Sequence, residues 1–300
     1  MSAHRYPASW RNLLFNRRYD GTGLVDDPAH LVEAYVGSDY YLESLDPTGV
    51  QAIDYRELRQ LAEGAEANQA FEGIRTWVGR GRIVAASPAD LEDKTWAMYE
   101  AFSPAAVRMA TAIDGLSPPG VLPFQFSRAS AGGALALRFY ARPSIGRPLV
   151  VGRIREGLIR PFIFGLVAMD PRVYGQTEQS VPLQERTGGN NTLTNSGNLY
   201  THPTIVLTMN GVGAATVTVT NTTTGQSFVL DLSTTTGGEY VLDCQRATIV
   251  RTTGGVVNKY GMRKSGFLTP FVLAPGANII TWSSDTSISE ARFKWRHAYA

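Results

Sequence analysis

The residues able to carry chemistry are few and scattered. Four histidines, His4, His30, His202 and His297, stand alone, with none three or four residues from another and none in an HExxH arrangement. A metal site on one element needs that spacing, so metal binding through them is not expected. The one cysteine, Cys244, excludes an internal disulfide and a cysteine zinc site, and its β-rich setting reads as a small buried hydrophobe. Two carboxylate pairs could be imagined as acid and base. Glu92 and Asp93 open a helix, where the dipole accounts for them. Glu239 and Asp243 share one face of a strand, and a glycosidase would also need a cleft and a fixed separation. No GxSxG elbow, Walker loop or GxGxxG is present. Gly79-Arg80-Gly81 lacks a third glycine and reads as a turn between two strands. The sequence therefore assigns no catalytic, cofactor-binding or metal-binding residue and points away from an enzyme.

Two constellations could bind rather than react. Tyr200, Tyr240, Tyr260, Trp282 and Trp295 could form a sugar-stacking platform, although aromatics in a sandwich are more often core. Arg292, Lys294 and Arg296 alternate along one strand, which reads as a solvated face that keeps a last strand from pairing with other chains. Asn190-Asn191-Thr192 and Asn221-Thr222-Thr223 match the glycosylation sequon and read as turn residues.

The elements that must hold these residues are mainly β. From residue 198 to 299, period-two runs at 216–220 and 291–296 bracket short strands at 228–232, 240–243, 248–251, 256–260, 266–273 and 278–282. Thr224-Gly225, Gly237-Gly238, Gly254-Gly255 and Pro275-Gly276 punctuate them. Short strands at this spacing predict a β-sandwich over 196–300. Upstream, 5–50 reads as hairpins around 13–15, 31–36 and 40–45, while 53–72 fits a helix or an extended loop equally. Strands are expected at 76–78, 82–86, 135–140 and 160–169, with 115–133 a loop region around 121–126. One helix stands out near 88–102, with Ser87 as N-cap, Pro88 at the first position and Asp90 three residues after the cap. Leu91, Thr95, Met98 and Phe102 make its apolar stripe, with Trp96 and Tyr99 widening it. It would pack across the open side of a small β-barrel occupying 1–180, with 181–195 a linker.

Charge agrees with two regions. Residues 1–180 hold 19 Arg/Lys and 20 Asp/Glu, whereas 181–300 hold 9 and 6 and are rich in Thr, Asn, Gly and Val. A net charge of +2 advertises neither a nucleic-acid nor a membrane partner. The N-terminus lacks an apolar stretch of the secretory type, and no run reaches the roughly 18 apolar residues of a membrane helix.

In their order, several segments resemble the distal tail protein (Dit) family of long-tailed siphophages. They are Ile83-Val84-Ala85-Ala86-Ser87 before the helix, Ala101-Phe102-Ser103-Pro104, Arg142-Pro143, and the Asp170-Pro171-Arg172-Val173-Tyr174 ending of an apolar strand. In the last third they are Gly197-Asn198 with Pro203 and Ile205, then Asn221-Thr222-Thr223-Thr224-Gly225. Asp243 and Arg246 with Gly254-Gly255, Leu273-Ala274-Pro275-Gly276-Ala277-Asn278 and Trp295-Arg296-His297-Ala298-Tyr299 complete the series. The resemblance spans most of 70–300. It implies a structural virion protein with a tail-tube-like β-barrel and a galectin-like sandwich. It also implies a homo-hexameric ring at the tail tip, between the tail tube protein and the tail fibre or hub. DNA would pass through the channel without specific binding. The sandwich would dock receptor-binding or baseplate proteins, and assembly would take place in the host cytoplasm. The alternative reading is a carbohydrate-binding module for host cell-wall recognition. Because ring subunits associate head to tail, the near-equal charges of 1–180 suit polar contacts between unlike patches, and 53–81 is the expected contact segment.

Overall fold

The computed structural model describes residues 8–10, 13–15, 17–19, 24–26, 40–53, 56–58, 65–67, 71–103, 121–130, 133–144, 149–150, 158–183, 189–210, 216–232, 237–253, 257–268, 271–284 and 288–300. The expected strand at 31–36, the end of the helix sequence at Pro104, and Gly254-Gly255 lie outside them. The chain divides into two compact units, 1–173 and 174–300.

In the N-terminal unit, Ile159–Ala168, Phe71–Val84, Tyr40–Ile53, Leu13–Phe15, Ala8–Trp10, Leu122–Ser130 and Gly133–Pro143 pair in that order. Gly133–Pro143 then pairs back onto Ile159–Ala168, which closes the sheet into a barrel. Alternation along each strand sends one set of side chains inward. Trp77, Phe124, Phe126, Phe139, Phe162 and Phe164 are buried there. Trp77 stacks on Phe139 with centroids 4.5 Å apart, and Phe124 stacks on Phe139 at 5.3 Å.

This core explains where the sequence reading failed. Gly79-Arg80-Gly81 is no turn but the middle of one continuous strand, Phe71–Val84. Phe164 pairs with Gly79 and Phe162 with Gly81, and each ring lies over its glycine. A glycine that makes room for a facing ring leaves the same letters as a glycine that makes a turn. Residues 122–130 are a strand rather than loop, because they pair along their length with 133–141. Residues 53–72 are neither helix nor loop where described. Arg56–Leu58 pairs with Ala65–Ala67, beyond the long antiparallel pair Tyr40–Ile53 and Phe71–Val84.

The helix Pro88–Ala101 forms as its sequence dictates. Ser87 is extended and its hydroxyl accepts the Asp90 N–H at 3.1 Å. The Asp90 carboxylate accepts from Ala86 N and Lys94 Nζ, both at 2.7 Å. The Lys94 ammonium first, then the Ala86 amide, hold that carboxyl below its ordinary value. Leu91, Thr95, Met98, Ala101 and Phe102 are buried, and the Phe102 ring meets Phe164 at 4.6 Å. The helix thus completes the barrel core. Ser87→Ala removes one cap bond and is expected to lower the stability of this unit by about 1 kcal/mol. Urea unfolding of the full chain, followed by amide exchange in the helix, checks it.

The C-terminal unit is a sandwich. One sheet runs Gln179–Leu183, Ile288–Trp295, Thr204–Met209, Gly238–Asp243, Thr248–Arg251 and Val257–Asn258. The other runs Asn191–Asn195, Gly276–Ser283, Thr216–Asn221, Gln226–Asp231 and Arg263–Ser265. Leu193, Val219, Phe228, Tyr240, Trp282 and Phe293 meet in the core between them. The Trp295 indole N–H donates to Thr194 O at 3.3 Å, tying one sheet to the other.

Three expectations need correcting. The division falls after Val173, and the supposed linker 181–195 carries strand residues of both sheets. Polar, glycine-containing composition hid them because an edge strand with one wet face needs few apolar residues. The strand Ile288–Trp295 is not an edge, since Gln179–Leu183 and Thr204–Met209 flank it. Of the expected strand 266–273, the described residues 266–268 and 271–273 are irregular apart from a bridge at Leu273, and the neighbouring strand is Arg263–Ser265.

Candidate assembly surfaces

The described parts of the barrel unit present an exposed ring amid charge. Trp96 is 63% exposed, so it does not widen the buried stripe as expected, and the Tyr99 ring stands edge-on to it at 5.9 Å. It misses the core because its turn faces away from Leu91, Thr95 and Met98. Glu92, Asp93 and Glu100 are exposed on the same helix. Glu92 is committed, accepting from Arg160 at 2.9 Å while Arg160 also reaches the Thr95 hydroxyl at 3.2 Å. Glu92 and Asp93 therefore form no acid–base pair. At the strand ending singled out in the sequence, Asp170 accepts from the Arg172 backbone N–H at 3.1 Å and its guanidinium at 2.8 and 3.0 Å. This is a structural clamp that shapes the turn after Ala168.

In the sandwich, the motif asparagines turn out to be internal struts. Asn195, Asn221 and Asn278 are buried. Asn278 Oδ1 accepts Ala274 N, and its amide donates to Ala274 O, each at 2.8 Å, and to Gly276 O at 3.1 Å. Asn221 donates to Val272 O at 2.8 Å and Asn278 Oδ1 at 3.2 Å, and accepts Thr223 N at 3.1 Å. Asn195 donates to Leu199 O and Leu273 O at 2.8 and 3.2 Å. Most of these bonds satisfy the backbone of the irregular stretch 271–275 and the first residue of the strand Gly276–Ser283 that follows it. Asn221 is thus a buried amide at the end of a strand rather than a turn residue.

The other candidates do not converge. Tyr240, Trp282 and Trp295 are in the core, while Tyr200 is exposed against His202 at 5.7 Å, so these aromatics make no platform. The Tyr260 side chain, like His4 and His30, lies outside the described residues. Glu239 accepts from Thr252 at 3.0 Å, and Asp243 binds the Arg246 backbone N–H at 2.9 Å, so the two hold separate turns. Arg296 is buried rather than part of a wet stripe, bonding the Gln176 carbonyl and lying 3.8 Å from Glu178. Cys244 is buried, and burial, with Asp243 beside it, pushes its thiol up. Among the described residues, no group of three His, Cys, Asp or Glu side chains could hold a metal, and no helix is long and apolar enough to cross a membrane.

His297 has a role that sequence reasoning did not assign. Its Nδ1 accepts the Ser196 N–H at 3.0 Å, beside a close approach of Gly197 to the Ala298 backbone. Burial lowers the His297 pKa below its usual 6.5. The unfolded chain therefore takes up the proton first as pH falls below about 6.5, while above that value the sandwich keeps its full stability. Melting of the sandwich is expected at lower temperature at pH 5 than at pH 7.5, with a smaller decline in His297→Asn.

Residues 196–299 match the family described as siphovirus-type tail component, C-terminal domain. No curated protein matches the sequence. Among solved structures, the crystal structure of phage SPP1 Dit (gp 19.1) is similar at 10% identity, with a TM-score of 0.52 over 87% of this chain and 94% of that one. It is described as a paradigm of the hub adsorption apparatus in phages infecting Gram-positive hosts. The phage P2 baseplate in its activated conformation with Ca gives 9% identity and a TM-score of 0.47 over 97% of both chains. The likeness to SPP1 Dit shows a shared fold.

Proposed function

We propose that this chain, which carries a siphovirus-type tail component domain at 196–299, is a structural protein of the distal end of a long non-contractile phage tail. The observation that carries this reading is that domain match. Copies would form a closed ring, of six in the expected arrangement, joining the tail tube to the fibre or hub. The barrel unit supplies the ring, and DNA passes through its channel without specific binding. The sandwich docks host-adsorption proteins. The protein is not an enzyme, and it works as part of the virion.

Physical features support the assignment of roles. A ring needs two unlike complementary patches on each subunit. The barrel unit offers Trp96 among carboxylates, and the long pair Tyr40–Ile53 and Phe71–Val84 carries the segment expected to make contacts. The carbohydrate-binding reading loses its main support because three of its five aromatics are core. Gold labelling of this protein in micrographs of intact tails tests the proposal. Label confined to the tail tip, over a ring, is the expected result. Label elsewhere, or binding of purified chain to cell-wall glycan with no tail signal, would overturn it.

A further inference from the structure

Two faces of the barrel unit match each other. On the helix Pro88–Ala101, Asp93, Trp96 and Glu100 fall at i, i+3 and i+7, so they share one stripe, opposite the buried Leu91 and Met98. All three are exposed, Trp96 at 63%, and the Tyr99 ring stands edge-on to Trp96. Beside the stripe, Glu92 is bound to Arg160 and Lys94 to Asp90. The stripe is thus a large ring between two carboxylates.

The second face is the outside of the sheet that this helix covers from within. Phe102 meets Phe164, and Phe164 lies over Gly79, so the helix is on the Gly79 side of Phe71–Val84. Successive residues of a strand point to opposite faces, which sends Val78 and Arg80 to the far side. Arg80 pairs with Ile163, and Arg142 with Val167, so these four share that far side. Arg80 and Arg142 are exposed, with Val78, Ile163 and Val167 half-buried between them. Arg138 adds a further cation to this face, Arg82 is joined to Glu43, and Asp46, paired with Val78, is an exposed acid there. The balance is positive: an apolar strip between two arginines. Strand spacing puts Arg80 and Arg142 roughly 16 Å apart, and helix rise puts Asp93 and Glu100 about 10 Å apart, a difference that two arginine side chains can span.

We propose that the Asp93–Trp96–Glu100 stripe of one subunit seats on the Arg80–Arg142 face of a second copy of this chain. Trp96 packs on the strip of Val78, Ile163 and Val167, and the carboxylates turn toward the arginines, one of which lies over the indole. The two faces are unlike and point to opposite sides of one sheet, as head-to-tail association requires. An isologous pair would instead set like charges against each other. Duplex DNA would satisfy the arginines but would leave Trp96 in water and Asp93 unmatched. The proposal rests on the reading of the barrel unit as the ring-forming unit.

Sedimentation of the full chain at micromolar concentration, in low and in high salt, tests the contact. The unaltered chain is expected as a closed oligomer that loosens as salt rises. Asp93→Lys/Trp96→Ala and Arg80→Glu/Arg142→Glu change exposed sites and are first checked for unchanged melting. Each should sediment as a monomer, with the contact weakened by roughly tenfold or more. Mixed together they should form a dimer and nothing larger, because only the intact stripe of one and the intact arginine face of the other can meet. Closed oligomers from either variant overturn the proposal, as does a mixture that stays monomeric. So does an unaltered chain that stays monomeric, whether or not its arginine face binds duplex DNA. Label at the tail tip with variants that still close into rings sinks this inference alone. The expected sedimentation with no label at the tail tip sinks the tail-tip reading alone.

Discussion

Gly81→Ala is expected to disrupt the barrel more than Gly79→Ala, and no repacking of its aromatic neighbour should rescue it. A Cβ on Gly81 would overlap the Tyr41 carbonyl oxygen as well as the Phe162 ring. The first obstacle is backbone, fixed by the pairing of Tyr40–Ile53 with Phe71–Val84. Gly79 presents the opposite case, because a Cβ there would overlap only Phe164 ring atoms among its nearest neighbours. Overpacking of a close-packed core costs about 1–3 kcal/mol when side chains can shift, and more when they cannot. Gly79→Ala is therefore expected to cost about 2–3 kcal/mol, with a good part recovered in Gly79→Ala/Phe164→Leu. Gly81→Ala should cost more than that, with no recovery in Gly81→Ala/Phe162→Leu. Urea midpoints of the four variants, with near-ultraviolet dichroism for barrel packing, distinguish the two. Equal rescue at both positions would show that the Tyr41 carbonyl is not the obstacle.

Asn278→Leu carries the second large effect. It removes four hydrogen bonds from a fully buried amide, three with Ala274 and Gly276 and one from Asn221, and leaves Ala274 N–H and C=O without their partner. Each buried group left unpaired costs about 1–3 kcal/mol, so a loss of roughly 3–5 kcal/mol is expected. Asn221→Leu should cost less, but the pair should be non-additive because Asn221 donates to Asn278 Oδ1. Hydrogen exchange at Ala274 N, together with the unfolding midpoint of the sandwich, checks this. Strictly additive losses would mean that the two amides act as separate struts.

These two cases mark the boundary of what could be read from the letters. The cap and the main apolar stripe of the helix were legible, because Ser87, Pro88 and Asp90 act on their own neighbours and Leu91, Thr95 and Met98 repeat every turn, whereas Trp96 was misplaced. Most sandwich strands were legible for the same reason: the alternation at 216–220 and 291–295 is local. The glycines at 79 and 81 were misread because their cause, Phe164 and Phe162, lies about eighty residues away in sequence. The exposure of Phe267 was missed for a related reason. Phe267 reads as one more apolar residue in a β-rich stretch, and only the turn at Gly266 and the stacked Arg263 put it in water.

The sequence by itself determined the β-rich character, the capped helix and the pairing of a barrel with a sandwich. These follow from period, capping and composition, which act over a few residues. Only the tertiary structure decided that Asn195, Asn221 and Asn278 face inward, that Trp96 and Phe267 face outward, and that the two units part after Val173. Burial and hydrogen-bond partners are set by strands that meet across the fold, and no local pattern encodes which strand arrives next to which.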